Sequence, residues 1–166
     1  MIDQLTSRRH PAWRYARMID ARRIGMVGHS LGGDATVTTM AADKRVRSGV
    51  NLDGTMFAPV PTTGLGGRPF LLVSHDQGGG EGPTWTSGWA NLDGWKRWLI
   101  VSGSNHASFT DVPVLSEALG IPEPPSTTIS AQRSVQITRT YVGAFFDPHL
   151  RGIPHADPKR ALCGKP

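Results

Sequence analysis

The sequence predicts an α/β fold in which helices flank a mostly parallel sheet. Three features predict it: short apolar runs recur along the chain, helical patterns separate them, and no internal repeat interrupts the series. Short apolar runs are typical of strands buried on both faces, and parallel strands need long crossovers between them. The 166 residues are enough for one domain with a real core, so we expect a single domain over 1–166.

The first half of the chain contains a strand, a sharp turn and a helix in succession. Residues 1–9 have the spacing of an amphipathic helix, and 10–22 form a polar connector. An apolar run predicts a strand over 24–28, and small and apolar residues predict a helix over 31–43. Gly28-His29-Ser30-Leu31-Gly32 lies between them and has the pattern G-x-S-x-G.

The second half alternates in the same way. Pro- and Gly-rich residues predict a loop over 55–68, and residues 77–83 are dense in glycine. No Gly-Lys-Ser/Thr follows those glycines, so a phosphate-binding loop is not predicted. The remaining predicted elements are strands at 49–52, 69–74 and 98–101, and helices at 84–95, 109–119 and about 130–150.

Composition excludes several classes of function. The net charge is +5, but the basic residues are scattered and no nucleic-acid-binding motif is present, so we expect a solvated surface and no nucleic-acid partner. Cys163 is the only cysteine, which rules out an internal disulfide or a thiol-based metal or redox site. No apolar run is long enough to span a bilayer. The N-terminus lacks the apolar core of a secretory signal, which predicts a cytoplasmic protein, or a secreted one if a signal precedes Met1.

Ser30 is the candidate nucleophile. A serine hydroxyl attacks efficiently only when it is exposed beside a base, and a strained turn from a strand into a helix exposes it. We expect Gly28 and Gly32 to flank it because a β-carbon at either position would collide with the folded backbone.

His106 is the candidate base. It lies in a loop directly after the predicted strand at 98–101, where an imidazole can take the serine proton and return it to the leaving group. The other histidines are less well placed. His29 is inside the turn, and His75 follows the strand at 69–74, where the order of such sites along the chain calls for an acid.

Two carboxylates compete for the role of the acid that orients His106. Asp53 ends the strand at 49–52, and Asp76 follows the strand at 69–74. Either side chain would fix the imidazole tautomer if it were buried against the ring N–H, and position along the chain slightly favours Asp76. We expect Asp34 and Asp111 to be surface or helix-cap residues.

Three motifs of the chain belong together. They are Gly28-His29-Ser30-Leu31-Gly32-Gly33, Leu52-Asp53-Gly54-Thr55-Met56-Phe57 and His106-Ala107-Ser108-Phe109-Thr110-Asp111. With these motifs the chain resembles the platelet-activating-factor acetylhydrolase-like lipases of the α/β-hydrolase superfamily. The resemblance implies a serine hydrolase of lipid or short acyl esters that needs no metal or organic cofactor. It implies the catalytic residues Ser30, Asp53 and His106, because the family acid lies in an L-D-x-x-M-F segment. Bacterial cutinases and polyesterases are a rival resemblance, which implies Asp76 instead.

An acyl-transfer site also needs donors for the oxyanion. The N–H of Leu31, directly after the nucleophile, would supply one, and a loop after an earlier strand normally supplies the other. No such strand precedes residue 24, so we expect the C-terminal part of a hydrolase domain whose N-terminal strands are missing. An exposed sheet edge would then favour self-association, and an inactive remnant or interaction module is the alternative function. Candidate acyl-pocket residues are Leu31, Met56, Phe57 and Phe109.

Overall fold

The computed structural model describes residues 2–6, 14–76 and 83–154. Four strands in these ranges form one sheet in the order β1-β2-β3-β4, and every neighbouring pair is parallel. The predicted parallel α/β architecture is therefore confirmed. The strands are β1 (Ile24–His29), β2 (Val46–Leu52), β3 (Phe70–His75) and β4 (Lys96–Val101).

Helices connect the strands and cover both faces of the sheet. The predicted helix over 1–9 is described only in part, and the loop at 77–82 and Cys163 lie outside the described residues. No helix in the described ranges is long and apolar enough to cross a membrane. The helices are α1 (Ile2–Thr6), α2 (Leu31–Ala42), α3 (Pro83–Asn91), α4 (Val112–Ala118) and α5 (Ala131–Phe146), with 3-10 turns at Ala16–Met18 and His106–Phe109 and a π-helical turn at Asp147–Arg151.

Several element boundaries differ from the sequence prediction, those of β2 and α3 among them. β2 begins at Val46 rather than at residue 49, because β1 continues to pair with it there. α3 ends at Asn91 rather than at residue 95. The chain turns after it at Asp93, whose carboxylate accepts hydrogen bonds from the N–H groups of Leu65 and Gly67 at 2.8 Å each.

Alternate side chains of the central strands enter two separate cores. On one face, Phe70 and Leu72 of β3 pack with residues of α2 and α3, including Trp85. On the other face, Leu71 and Val73 pack with residues of β4 and α5. Burial of each such side chain contributes about 1.5–3 kcal/mol, so the sheet is held from both sides and its strand ends are held in place.

β1 lies at one edge of the described sheet and pairs there with β2. The Val27 side chain on this strand is 45% exposed. Within the described residues, this end of the sheet is therefore an exposed edge.

Candidate active site

The carboxyl ends of three neighbouring strands bring the candidate residues together. Ser30 follows β1 and Asp53 follows β2, while His75 is the last residue of β3. The Ser30 N–H donates to the Leu52 carbonyl at 3.0 Å, and the Asp53 N–H donates to the Val73 carbonyl at 2.7 Å. The parallel ladders therefore continue one residue past the strands and align these positions at one edge of the sheet.

The turn at Ser30 has the strained backbone that the motif predicts. Ser30 has φ 55° and ψ −124°, a conformation that residues with a β-carbon rarely adopt. A β-carbon at Gly28 would lie 2.0 Å from the Gly32 carbonyl oxygen, so glycine is required there. The same expectation for Gly32 is wrong, because a β-carbon at that position would meet nothing within 4 Å. α2 begins at Leu31, so its N–H belongs to the first helical turn and has no acceptor within the helix.

A second strained residue carries the carboxylate. Asp53 has φ 56°. Among the described non-glycine residues, only Asp53 and Ser30 have a positive φ. The fully buried Asn51 holds the turn: its Oδ1 accepts from the Gly54 N–H at 2.7 Å and its Nδ2 donates to the Gly54 carbonyl at 2.8 Å. The indole N–H of Trp85 donates to the same carbonyl at 2.8 Å.

The turns at Ser30 and Asp53 are packed directly on each other. A β-carbon at Gly54 would lie 2.1 Å from the Ser30 carbonyl oxygen, and one at Gly33 would lie 2.1 Å from Asn51 Oδ1. Glycine at both positions lets the two turns approach this closely, so the position of the serine and that of the carboxylate are coupled.

Asp53 and His106 are in direct contact. Nδ1 of His106 lies 2.5 Å from Oδ2 of Asp53, whose side chain is only 1% exposed. A carboxylate accepts hydrogen bonds, so Nδ1 carries the proton and Nε2 is the basic nitrogen of the neutral ring. The His106 side chain is 52% exposed, which leaves the ring accessible. In the described part of the chain the Ser30 hydroxyl has no hydrogen-bond partner. Contacts of this kind often tighten only when substrate binds.

His75 also contacts Asp53, which sequence reasoning missed. Its Nδ1 lies 2.8 Å from Oδ1 and 2.7 Å from Oδ2, and its backbone N–H donates to Oδ1 at 3.1 Å. The usual order of such sites along the chain places an acid after β3. For that reason His75 was set aside as a site residue. Its place at the end of the neighbouring parallel strand was the signal that could have found it.

His29 supports the loop that carries His106. Its Nε2–H donates to the His106 carbonyl at 2.7 Å, and the two ring centroids are 4.4 Å apart. Burial disfavours the charged imidazolium and lowers the pKa of His29 below its ordinary value of 6.5. We expect His29 to be neutral at physiological pH and to serve there as a donor.

The other carboxylates are bound elsewhere. Asp76 is exposed, and its Oδ2 accepts from the Gly103 N–H at 2.9 Å. Asp34 was expected at the surface or at a cap, but its half-buried carboxylate accepts from the Ala58 N–H at 3.2 Å and secures the loop after β2. Asp111 precedes α4 at the N-cap position without a side-chain capping bond.

Asp53, His75 and His106 are also a possible set of metal ligands, since one donor atom from each lies within 4.8 Å of the others. Two ligands of a tetrahedral zinc ion lie about 3.3 Å apart, given bonds of about 2.0–2.1 Å. The contacts of 2.5 and 2.7 Å from the two rings to Asp53 Oδ2 are shorter than that. The spacing fits shared protons rather than a shared metal ion.

The four candidate acyl-pocket residues have different surroundings. Met56 and Phe109 are buried, each in one of the two cores, where they pack against the sheet. Leu31 is 68% exposed and Phe57 is 70% exposed, in the segments that follow β1 and β2. Because Leu31 directly follows Ser30, it is an apolar surface next to the candidate nucleophile.

Comparison with known proteins gives three findings. A family model described as platelet-activating factor acetylhydrolase, isoform II, matches residues 13–150. A probable 1-alkyl-2-acetylglycerophosphocholine esterase from Arthroderma benhamiae is 32% identical over an alignment of 150 residues, gaps included, and the match covers 78% of this chain and 38% of that protein. The solved structure of a ferulic acid esterase from Streptomyces cinnamoneus is 40% identical with a TM-score of 0.81, over 99% of this chain and 48% of that one. The chain therefore spans less than half the length of either relative.

Proposed function

The chain belongs to the family of platelet-activating factor acetylhydrolase, isoform II, and on this premise we propose that it carries the catalytic residues of a serine hydrolase acting on carboxylic esters. The observation that carries the proposal is the contact of 2.5 Å between His106 Nδ1 and the buried carboxylate of Asp53. Asp53 lies at the same sheet edge as Ser30, on a turn that packs against the turn of the serine. Ser30 is the nucleophile, His106 the general base and acid, and Asp53 the residue that orients His106.

The reaction proceeds in two halves. The Ser30 hydroxyl attacks the ester carbonyl while Nε2 of His106 takes its proton, and the Asp53 carboxylate stabilises the imidazolium. The Leu31 N–H donates to the oxyanion of the tetrahedral intermediate. Collapse of the intermediate transfers the proton from His106 to the leaving alcohol and leaves the acyl group on Ser30. Water, deprotonated by His106, then releases the carboxylic acid and restores the serine.

The proposed substrates are lipid or short acyl esters. Both relatives are named as esterases, one for an acetylated phospholipid and the other for ferulic acid, so the acyl groups in their names differ. Exposed Leu31 and Phe57 offer apolar contacts for an acyl chain at the sheet edge. We expect Phe57→Ser to raise KM more for p-nitrophenyl butyrate than for p-nitrophenyl acetate, because the longer acyl chain loses more apolar contact.

The alternative acid, Asp76, is less well supported than Asp53. Its carboxylate accepts a hydrogen bond from the backbone of Gly103, in the loop between β4 and His106. A side chain in that position supports the loop, whereas Asp53 contacts the imidazole itself.

The test uses the 166-residue chain and a fluorophosphonate probe, together with hydrolysis of p-nitrophenyl acetate. We expect labelling and hydrolysis that are lost in Ser30→Ala and kept in Ser102→Ala, which removes an exposed hydroxyl from the loop after β4. Labelling needs only one attack by the serine and no release of an acyl group, so it is the more sensitive readout. If circular dichroism shows that the chain is folded and the probe still does not label Ser30, the result would favour the non-catalytic interaction module.

A further inference from the structure

The carboxylate of Asp53 is bound on two sides. In the described part of the chain every hydrogen bond to its oxygens comes from His75 or His106. His106 contacts Oδ2 alone, whereas Nδ1 of His75 is nearly equidistant from both oxygens. The His75 ring therefore bridges the two oxygens. The backbone N–H of the same residue also binds Oδ1.

The exposures of the two rings differ in a way that separates their roles. The His75 side chain is 13% exposed and the His106 side chain is 52% exposed. A ring that exchanges protons with substrate must be accessible, and His106 is. The more enclosed ring of His75 is suited to holding a partner in place.

A buried carboxylate needs this second partner. Asp53 is almost fully enclosed, and a buried charge is costly unless hydrogen bonds compensate it. With His106 as its only side-chain donor, the carboxylate would keep just the backbone N–H of His75 whenever the exposed ring moved, and its charge would be poorly compensated. The bridging contact from the His75 ring supplies a second, enclosed side-chain donor.

We propose that His75 is a positioning residue of this site: its Nδ1–H holds the Asp53 carboxylate with Oδ2 directed at His106. The proposal rests on the function proposed above. A carboxylate only accepts, so the proton of the bridge lies on Nδ1 of His75. His75 therefore acts through Asp53, and it does so without contact with the reacting ester.

Few other groups are placed to bind the Asp53 carboxylate in place of His75 and His106. The rings of His75 and His106 have centroids 6.4 Å apart, and His29 contacts His106 from the end of β1. Asp76 is adjacent to His75 in the chain, but its carboxylate is bound to the Gly103 N–H. Within the described residues, the direct partners of the Asp53 carboxylate are thus the two imidazoles and one backbone N–H.

The test compares two substitutions at position 75. His75→Leu removes the donor and keeps a side chain of similar size, and His75→Asn places an amide N–H where Nδ1 stood. For p-nitrophenyl acetate we expect His75→Leu to lower kcat roughly tenfold with KM within about twofold, because the hydrogen bond acts on the base rather than on substrate binding. His75→Asn should restore kcat to within about threefold of the unsubstituted chain.

The control is His149→Leu, the same chemical change at a half-buried histidine after α5. It should leave kcat unchanged, which separates the loss at position 75 from a general effect of replacing a histidine. An unchanged kcat in His75→Leu would overturn the proposal. A loss as complete as that of His106→Ala would also overturn it, because His75 would then be the base itself.

A second readout does not depend on turnover and so separates this proposal from the proposed function. Proton NMR of the full chain at low temperature should show a low-field resonance from the His106 Nδ1–H that is held by Asp53. We expect it to weaken or move upfield in His75→Leu and to return in His75→Asn. Absence of the resonance from the unsubstituted chain, or its persistence in His75→Leu, would overturn the positioning role even if Ser30 proved inactive.

Discussion

Asn51 binds both backbone polar groups of Gly54, accepting from its N–H at 2.7 Å and donating to its carbonyl at 2.8 Å. This pair closes the turn in which Asp53 has its positive φ. The carboxylate at the centre of the site is therefore held by a buried amide two residues before it in the chain as well as by the histidines that it contacts.

Replacing Asn51 with Ala should destabilise the protein by about 1–3 kcal/mol. The Gly54 N–H would be left buried without a partner, whereas the Gly54 carbonyl keeps the indole of Trp85. Urea unfolding followed by circular dichroism measures the change. Asn91→Ala, which removes a hydrogen bond from a half-buried amide to the Val60 carbonyl, is the control and should cost less. Equal losses of unfolding free energy in the two variants would contradict the inference that the Asn51 side chain contributes more to stability than the Asn91 side chain.

Gly28 and Gly32 flank Ser30 symmetrically in the sequence, but alanine should have opposite effects at the two positions. At Gly28 the new β-carbon would lie 2.0 Å from backbone, and overpacking of this kind costs about 1–3 kcal/mol or more. At Gly32, in the first turn of α2, it meets nothing, and the better helix propensity of alanine should stabilise by up to about 1 kcal/mol. Thermal unfolding of the two variants checks both signs, and destabilisation by Gly32→Ala would refute the second.

Asp53→Asn and Asp76→Asn distinguish the two candidate acids. Loss of the Asp53 carboxylate removes the acceptor that fixes the His106 tautomer, so kcat/KM should fall by about 10³ or more. Asp76→Asn keeps an oxygen for the Gly103 N–H and should change kcat/KM by less than about threefold. Hydrolysis of p-nitrophenyl acetate by the purified variants is the measurement. The reverse ranking would assign the acid to Asp76 and favour the cutinase-like alternative.

His29 should make the stability of the protein depend on pH. Burial lowers the pKa of His29 in the folded state below 6.5, so the unfolded chain binds a proton there that the folded chain does not. The free energy of unfolding should therefore fall as pH decreases through 6.5 and should level off below the folded-state pKa.

The matched variant is His29→Gln, whose amide nitrogen takes the place of Nε2 and keeps the donor to the His106 carbonyl. Urea unfolding between pH 5 and pH 8 should give a shallower dependence in this variant than in the unsubstituted chain. Identical slopes would show that His29 does not contribute.

Much of this fold could be read from local patterns. The four strands and the helices between them follow apolar runs and turn residues, and a parallel sheet follows from their alternation. Errors concentrate at boundaries such as the end of α3, where the carboxylate of Asp93 binds backbone from a distant loop. Such a bond depends on packing and leaves no periodic signal in the sequence.

Within the site, the sequence established the residue types and their order. Ser30 in its motif and His106 after β4 were identified from local context, while the residues alone left Asp53 and Asp76 open. Asp53 was favoured only through resemblance to a family. The position of these residues at the carboxyl ends of the strands follows from a rule that holds for parallel sheets in general.

The contacts between these residues came from three-dimensional packing. That Asp53 meets His106, that His75 binds the same carboxylate, and that Asp76 supports Gly103 instead all depend on side-chain directions at the ends of neighbouring strands. Those directions are determined by backbone angles such as the positive φ of Asp53 and by long-range contacts such as the one between Trp85 and Gly54. Residues far apart in the chain produce them jointly, so no stretch of sequence contains them.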